Sequence, residues 1–365
     1  MHPVVNYESA PIMLYWEMTR ACDLACRHCR AEAMFFRDPA ELSTEEGEQL
    51  LETLCGFGDT KPHLVFTGGD PLRRPDLSQL VAHAVHLGFV TSVTPSGTPL
   101  LTYEAIAHLK SSGVRSLAFS LDGSTADGHD GIRGVPGTFQ RTVNAVGWAL
   151  EQDVPVQINT LVSAENAADL EAIYRLVCDL GVQRWALFFL ICTGRGAVLR
   201  EVSAEESERI LAWVYECSKR SFPVIKTTEA HHVRRVAAQA RLRERQQAGE
   251  GTMRTSSIRA GWGVRDGAGI MFISHRGDVY PSGFLPIKVG NVRHDDPVQL
   301  YREATLFRQL RNPEQLKGKC GECEYRVICG GSRSRAYASM GDPLESDPLC
   351  VYTPHLQHLA PGTAV

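Results

Sequence analysis

The stretch RACDLACRHCR, residues 20–30, places Cys22, Cys26 and Cys29 in C-x3-C-x2-C spacing. Thiolates hold zinc or iron–sulfur clusters. A structural zinc wants four ligands, yet the next cysteine in the chain is Cys55. His28 is adjacent to Cys29, and neighbouring residues rarely converge on one tetrahedral ion. A four-iron cluster held by three cysteines leaves one iron open to a substrate or cosubstrate. A second group is Cys320, Cys323 and Cys329, in C-x2-C-x5-C spacing, followed by Cys350. Four thiolates close a site, and two occupants compete for it: a tetrahedral zinc or a fully ligated iron–sulfur cluster. The remaining cysteines, Cys55, Cys178, Cys192 and Cys217, stand among apolar residues and read as small hydrophobes.

The elements that must position these groups alternate. Residues 12–18, 63–69, 89–95, 114–122, 154–162 and 184–191 are rich in β-branched and aromatic residues and read as strands. Amphipathic stretches lie between them. Ser43 and Glu46 form a capping-box pattern, and Gly88 and Gly113 stand where helices would end. Six β-then-α units imply a parallel sheet and are too few for a closed eight-fold barrel. The expected fold is α/β, a partial (β/α)6 barrel with a small C-terminal iron–sulfur extension. Its function should lie at the C-terminal ends of the strands. The expected division is 1–225 for the barrel, 226–265 for a basic helix and linker, and 266–365 for the extension. The segment 226–259 holds eight Lys/Arg against three Glu, its first part reading as a helix and its end as a loop. Residues 269–283 read as a pair of short strands turning at Arg276-Gly277-Asp278, and 297–311 as one helix.

Composition bounds the partners. The 365 residues carry a formal charge of −4, unlike most nucleic-acid binders. No run of 18 apolar residues marks a membrane span, and the N-terminal stretch lacks the pattern of a secretory signal. The expectation is a cytoplasmic protein with neither nucleic acid nor membrane as partner. Eleven cysteines there favour metal or redox chemistry over disulfides.

The three-cysteine loop after the first strand resembles the radical S-adenosylmethionine (SAM) superfamily. The resemblance implies a [4Fe–4S] cluster on Cys22, Cys26 and Cys29. It also implies reductive cleavage of SAM to a 5′-deoxyadenosyl radical that abstracts a substrate hydrogen. It further implies roles at the other strand ends. Gly68, Gly69 and Asp70 match the family's GGE-like motif for the SAM amino group, with Asp for Glu. Ser120, Asp122 and Asn159 fall where the family contacts ribose and methionine, Arg195 lies near the SAM pocket, and His28 near the adenine. The second cysteine group resembles the SPASM/Twitch extension, which implies an auxiliary [4Fe–4S] cluster. Ser282 and Ser332 stand where the full SPASM pattern has cysteines, so one auxiliary cluster is expected. Over nearly its whole length the chain resembles the haem-synthesis subgroup, which includes iron-coproporphyrin decarboxylases and the propionate-removing enzymes of the denitrification haem. That implies oxidative decarboxylation of a porphyrin propionate and a low-potential donor such as flavodoxin or ferredoxin. His231, His232, Arg234 and Arg235 then become candidate tetrapyrrole contacts. Arg333 and Arg335 would tune the auxiliary cluster or pair with Glu345 or Asp347. Peptide maturation by the same chemistry, a non-enzymatic iron–sulfur electron carrier and a zinc-stabilised binding module are the alternatives.

Overall fold

The computed structural model describes residues 7–248, 256–258 and 263–354. Ten strands form one sheet: β1 Met13–Thr19, β2 His63–Gly68, β3 Thr91–Val93, β4 Ser116–Ser120, β5 Val156–Val162, β6 Arg184–Phe189, β7 Val224–Thr228, β8 Ile270–Ile273, β9 Asp278–Tyr280 and β10 Gly290–Asn291. Their order is β10-β9-β8-β1-β2-β3-β4-β5-β6-β7. From β1 to β7 each strand pairs in parallel with the one before it, as helical crossovers require.

Period-two alternation divides the sheet into two faces. Leu14, Trp16, Met18, Leu64, Phe66, Leu117, Phe119, Ile158, Trp185 and Leu187 join the helices in one buried core. Burying each such side chain contributes roughly 1.5–3 kcal/mol. The alternate positions, among them Glu17, Thr67, Ser120 and Asn159, face the concave side and are more polar. This pattern places the helices outside and leaves the inner face for ligands.

The capping box at Ser43 and Glu46 is formed. Gly88 and Gly113 have positive φ just past their helices, as left-handed stops require. Two elements and one cysteine depart from the sequence reading. Strand β7 went unread because Lys226 and the threonines around it look polar; it is an edge strand with one neighbour, and Lys226 is its one exposed residue. The single helix read over 297–311 is two, Pro297–Glu303 and Thr305–Arg311, broken at an extended Ala304. Arg311 turns back to donate to the Tyr301 and Arg302 carbonyls, which holds the break. Cys192 is exposed rather than packed among apolar groups. The helix read in the basic segment is Val233–Ala248; most of its expected loop lies outside the described residues.

Residues 270–280 form the expected antiparallel pair, with Gly277 at φ +82° in the turn. Strand β8 also pairs in parallel with β1, so the C-terminal residues extend the barrel sheet itself. Among the described residues no helix is long and apolar enough to cross a membrane.

Candidate active site and auxiliary cysteine site

The C-terminal ends of β1 to β6 surround a cavity of about 230 Å3. Cys22, Cys26 and Cys29 line it together with Gly68, Gly69, Ser120, Asp122, Asn159, Arg195 and His28. The glycines answer to the backbone behind them. A Cβ on Gly68, at φ +151°, would stand 2.3 Å from the Thr19 carbonyl oxygen, and one on Gly69 2.6 Å from that of Ala21. The Gly69 and Asp70 amides donate to those same two carbonyls at 2.8 Å. The end of β2 therefore lies flush against the cysteine loop.

Asp70 is placed otherwise than the motif implied. Its buried carboxylate accepts from the Thr98 hydroxyl at 2.7 Å and from the Leu72 and Ser96 amides, and it does not line the cavity. It shapes the site from behind. Asp122 does line the cavity, but its carboxylate is committed. It accepts from the Leu161 amide at 2.8 Å and pairs with Arg133 at 2.6 Å. Burial alone would raise this carboxyl; Arg133 and then His28 hold it below the usual range. Arg133 also donates to Cys26 Sγ at 3.8 Å. His28 lies 4.0 Å from Asp122, and burial, reinforced by Arg133, brings its imidazole down to about 4. Arg195 lines the cavity with Nε and Nη2 buried and without a partner, ready for a carboxylate. Its amide donates to the Cys29 carbonyl at 3.1 Å.

Arg133 and Ser96 were not found from sequence. Ser96 donates to the Gly69 carbonyl and accepts from the Cys22 thiol at 3.8 Å. Arg133 closes the helix Ala126–Arg133, one turn after His129, whose Nδ1 accepts from the Asp122 amide. That i, i+4 pair following the LDG turn was the available signal.

Cys320, Cys323, Cys329 and Cys350 line a second cavity, with Arg235, Tyr325 and Tyr352. Donors already face these sulfurs. The Asp347 amide and Arg333 point to Cys320 at 3.4 and 3.7 Å, the Gly331 amide to Cys329 at 3.5 Å, and Arg235 to Cys350 at 3.8 Å. Among the described residues no three His, Cys, Asp or Glu side chains converge on a single-ion position.

Of the histidines and arginines proposed from sequence as substrate contacts, His231, His232 and Arg235 are buried and Arg234 is half-buried around this second site, and none lines the first cavity. Arg235 makes a two-pronged pair with Glu208. Arg234 donates to the Ile328 and Val264 carbonyls, and His232 bonds Ser207 at 3.0 Å. His231 has neither ring nitrogen paired. Ser282, Ser332 and Ser334 meet Glu229 and Asp266 in a buried network of oxygens. Burial and the neighbouring Asp266 push the Glu229 carboxyl well up.

The Radical SAM superfamily profile matches residues 16–177. The AdoMet-dependent heme synthase of Methanosarcina barkeri is 39% identical, over 96% of this chain and 99% of its own. This chain belongs to the radical SAM superfamily. Like other radical SAM enzymes it therefore uses a [4Fe–4S] cluster and SAM. The pre-heme d1 synthase of Dinoroseobacter shibae is 28% identical, over 94% of this chain and 86% of its own. Streptococcus suis SuiB, solved with precursor peptide SuiA, shares the fold at TM-score 0.71 and 18% identity, over 94% of this chain and 76% of that one. So does anSMEcpe with bound AdoMet and Cp18Cys peptide, at TM-score 0.68 and 16% identity, over 93% of each chain.

The first cavity fits both groups. Burial pushes the Cys22 thiol up to about 11, so a metal's charge is needed to hold it as thiolate. The Leu24 and Ala33 amides, 3.4 Å from Cys22 and Cys29 Sγ, then stabilise the sulfurs. Glycine backbone, Ser120, Asn159 and the unpaired Arg195 offer a polar bed for an amino acid joined to a nucleoside.

Proposed function

We propose that this radical SAM enzyme removes carbon dioxide from propionate arms of an iron porphyrin, leaving vinyl groups. The observation that carries the reading is the end-to-end similarity to the Methanosarcina barkeri haem synthase. The cavity supports it. Phe188, Phe284, Leu161 and Ile191 offer an apolar wall for a flat macrocycle, and Arg30 a cation for a carboxylate. Arg30 is fixed by Glu17 at 2.7 Å and lies 4.6 Å over the Phe272 ring.

The cluster and SAM, when bound, supply a 5′-deoxyadenosyl radical that takes hydrogen from the β-carbon of the propionate. The protein holds the parts. Cys22, Cys26 and Cys29 would ligate the first cluster, with Gly68, Gly69, Ser120, Asn159 and Arg195 around SAM. Arg133 keeps Asp122 ionised beside them. Cys320, Cys323, Cys329 and Cys350 would hold an auxiliary [4Fe–4S] cluster, which would supply an acceptor for the surplus electron, with Arg235 and Arg333 placed to stabilise its negative charge. On this reading residues 1–225 house the radical chemistry, 226–265 connect, and 266–365 house the electron acceptor.

The test is anaerobic turnover of the reconstituted, reduced enzyme with iron-coproporphyrin III. Haem, carbon dioxide and raised 5′-deoxyadenosine are expected together. SAM cleavage that porphyrin does not accelerate would turn the assignment towards another substrate, such as a peptide.

A further inference from the structure

Glu229 follows β7 and Asp266 precedes β8, so one carboxyl comes from the barrel and the other from the extension. Both are buried, and they lie within hydrogen-bonding reach of each other. Each is also tied to the start of one helix, Arg333–Met340. The Ser332 hydroxyl donates to the Glu229 carboxyl, and the Ser334 amide and hydroxyl donate to Asp266 Oδ2 at 2.8 and 2.9 Å. Asp266 Oδ1 is buried and accepts from no donor among the described residues. Glu229 is held at φ +58°, in the left-handed region that a residue with a side chain rarely adopts.

Two bare carboxylates cannot share such a place, because buried ions need a counter-charge and like charges in contact repel. Among the described residues neither carboxyl forms an ion pair. Arg335, on the same helix, donates to the Glu229 carbonyl at 2.6 Å and pairs with Glu201 at 3.3 Å and Asp347 at 3.6 Å. Burial and then Asp266 push the Glu229 carboxyl well up, against the opposing pull of Ser332 and Arg335. A proton on Glu229 gives Asp266 Oδ1 the donor it lacks. The contacts run on to the ligand cavity. Ser334 bonds Ser282 at 3.3 Å, Ser282 accepts from the Phe284 amide at 3.3 Å, and Phe284 lines the cavity.

We propose that Glu229 and Asp266 share one proton and form a latch, released at alkaline pH, that holds the extension and Phe284 against the rim of the barrel. With its proton the pair is one hydrogen bond carrying a single negative charge, and the serines donate to its outer oxygens. When the proton leaves to water, two negative charges face each other inside the seam and drive it open. A carboxyl raised in the folded state stabilises that state fully below its unfolded value near 4.5, and the contribution is lost as pH rises through the folded value. At neutral pH each opening of the seam therefore releases one proton.

The experiment follows amide hydrogen exchange by mass spectrometry on the full-length, cluster-loaded protein, kept without oxygen, as a function of pH. Peptides covering 264–285 and 332–340 report the seam, and peptides covering β1 and β2 report the barrel. Protection factors remove the intrinsic effect of pH on exchange. In the wild type, seam protection should fall about tenfold or more between pH 6 and pH 8, as the release of one proton requires, while barrel protection holds. Glu229→Gln replaces the shared proton with an amide N–H that does not titrate. Its seam protection should stay level over that range and exceed the wild type's at pH 8. Asp266→Asn removes the like charge and should shrink the wild-type slope. Level seam protection in the wild type would overturn the proposal, and so would a wild-type slope retained in Glu229→Gln. Barrel and seam falling together would also overturn it, because the proton would then hold the whole fold. If Glu229→Gln loses barrel protection outright, Asp266→Asn decides, and an unchanged slope there counts against the latch.

Discussion

At the scale of single residues, Arg133 joins the two halves of the first site. It neutralises Asp122, which is buried at the end of β4, and touches Cys26 on the loop after β1. Arg133→Met would leave that carboxylate without its counter-charge, a loss of roughly 3–5 kcal/mol for a buried pair. Urea unfolding of the metal-free protein should register it; a loss under about 1 kcal/mol would mean that the pair is not the anchor we describe. Gly69 makes a different demand. Its added Cβ would press on the backbone oxygens of Arg20 and Ala21, which cannot retreat as a flexible side chain could. Gly69→Ala should displace the cysteine loop and lower iron content at the first site, with far-ultraviolet circular dichroism unchanged. Full iron loading in that variant would refute the close-approach argument. These two residues differ in how legible they were. The glycines and cysteines announce themselves by type and spacing. Arg133 does not, because its role depends on a helix bringing it back over the end of a strand. Asp70 was legible as part of a motif, but only the fold shows its carboxylate bound to Thr98.

At the scale of elements, the inner face of the sheet carries a polar chain across three strands. His63 at the start of β2 bonds Ser92 on β3 at 2.7 Å, and Ser92 bonds Ser116 on β4 at 2.7 Å. Burial, then Lys226 and Arg184, bring the His63 imidazole down to about 4. A depressed histidine favours the folded state above its unfolded value near 6.5, and that contribution is lost as pH falls through about 4. Between pH 7 and pH 5 the wild type should lose about 1–2 kcal/mol more stability than His63→Gln. Parallel pH dependence in the two proteins would contradict it. The six strands read from composition are present, because hydrophobic alternation and β-branched residues are local signals. Strand β7 and the break at Ala304 were hidden. The first carries Lys226 and threonines that mask its strand pattern, and the second is held by Arg311, which folds back from the far end of the segment onto the Tyr301 and Arg302 carbonyls.

At the scale of the molecule, the extension is fastened to the rim of the barrel. Arg335 donates to the Leu190 carbonyl beyond β6 and to the Glu229 carbonyl beyond β7, and pairs with Asp347 at 3.6 Å. Sequence suggested Asp347 as a partner but could not reveal the two carbonyls, since carbonyls carry no sequence signature. The same long-range packing turns the HHVRR segment towards the second cysteine group. If each cysteine group holds its own cluster, as proposed, the losses should be separable. Cys26→Ala should abolish SAM cleavage and leave about half the iron, while Cys329→Ala should spare uncoupled SAM cleavage and stop product formation. Iron analysis beside a 5′-deoxyadenosine assay checks both, and SAM cleavage surviving in Cys26→Ala would refute the site. The proposed function turns on hydrogen abstraction from a porphyrin propionate. The most direct measurement supplies iron-coproporphyrin III deuterated at the propionate β-carbons and weighs the 5′-deoxyadenosine formed. One deuterium is expected in each 5′-deoxyadenosine, with haem produced alongside. Unlabelled 5′-deoxyadenosine from an actively cleaving enzyme would contradict it.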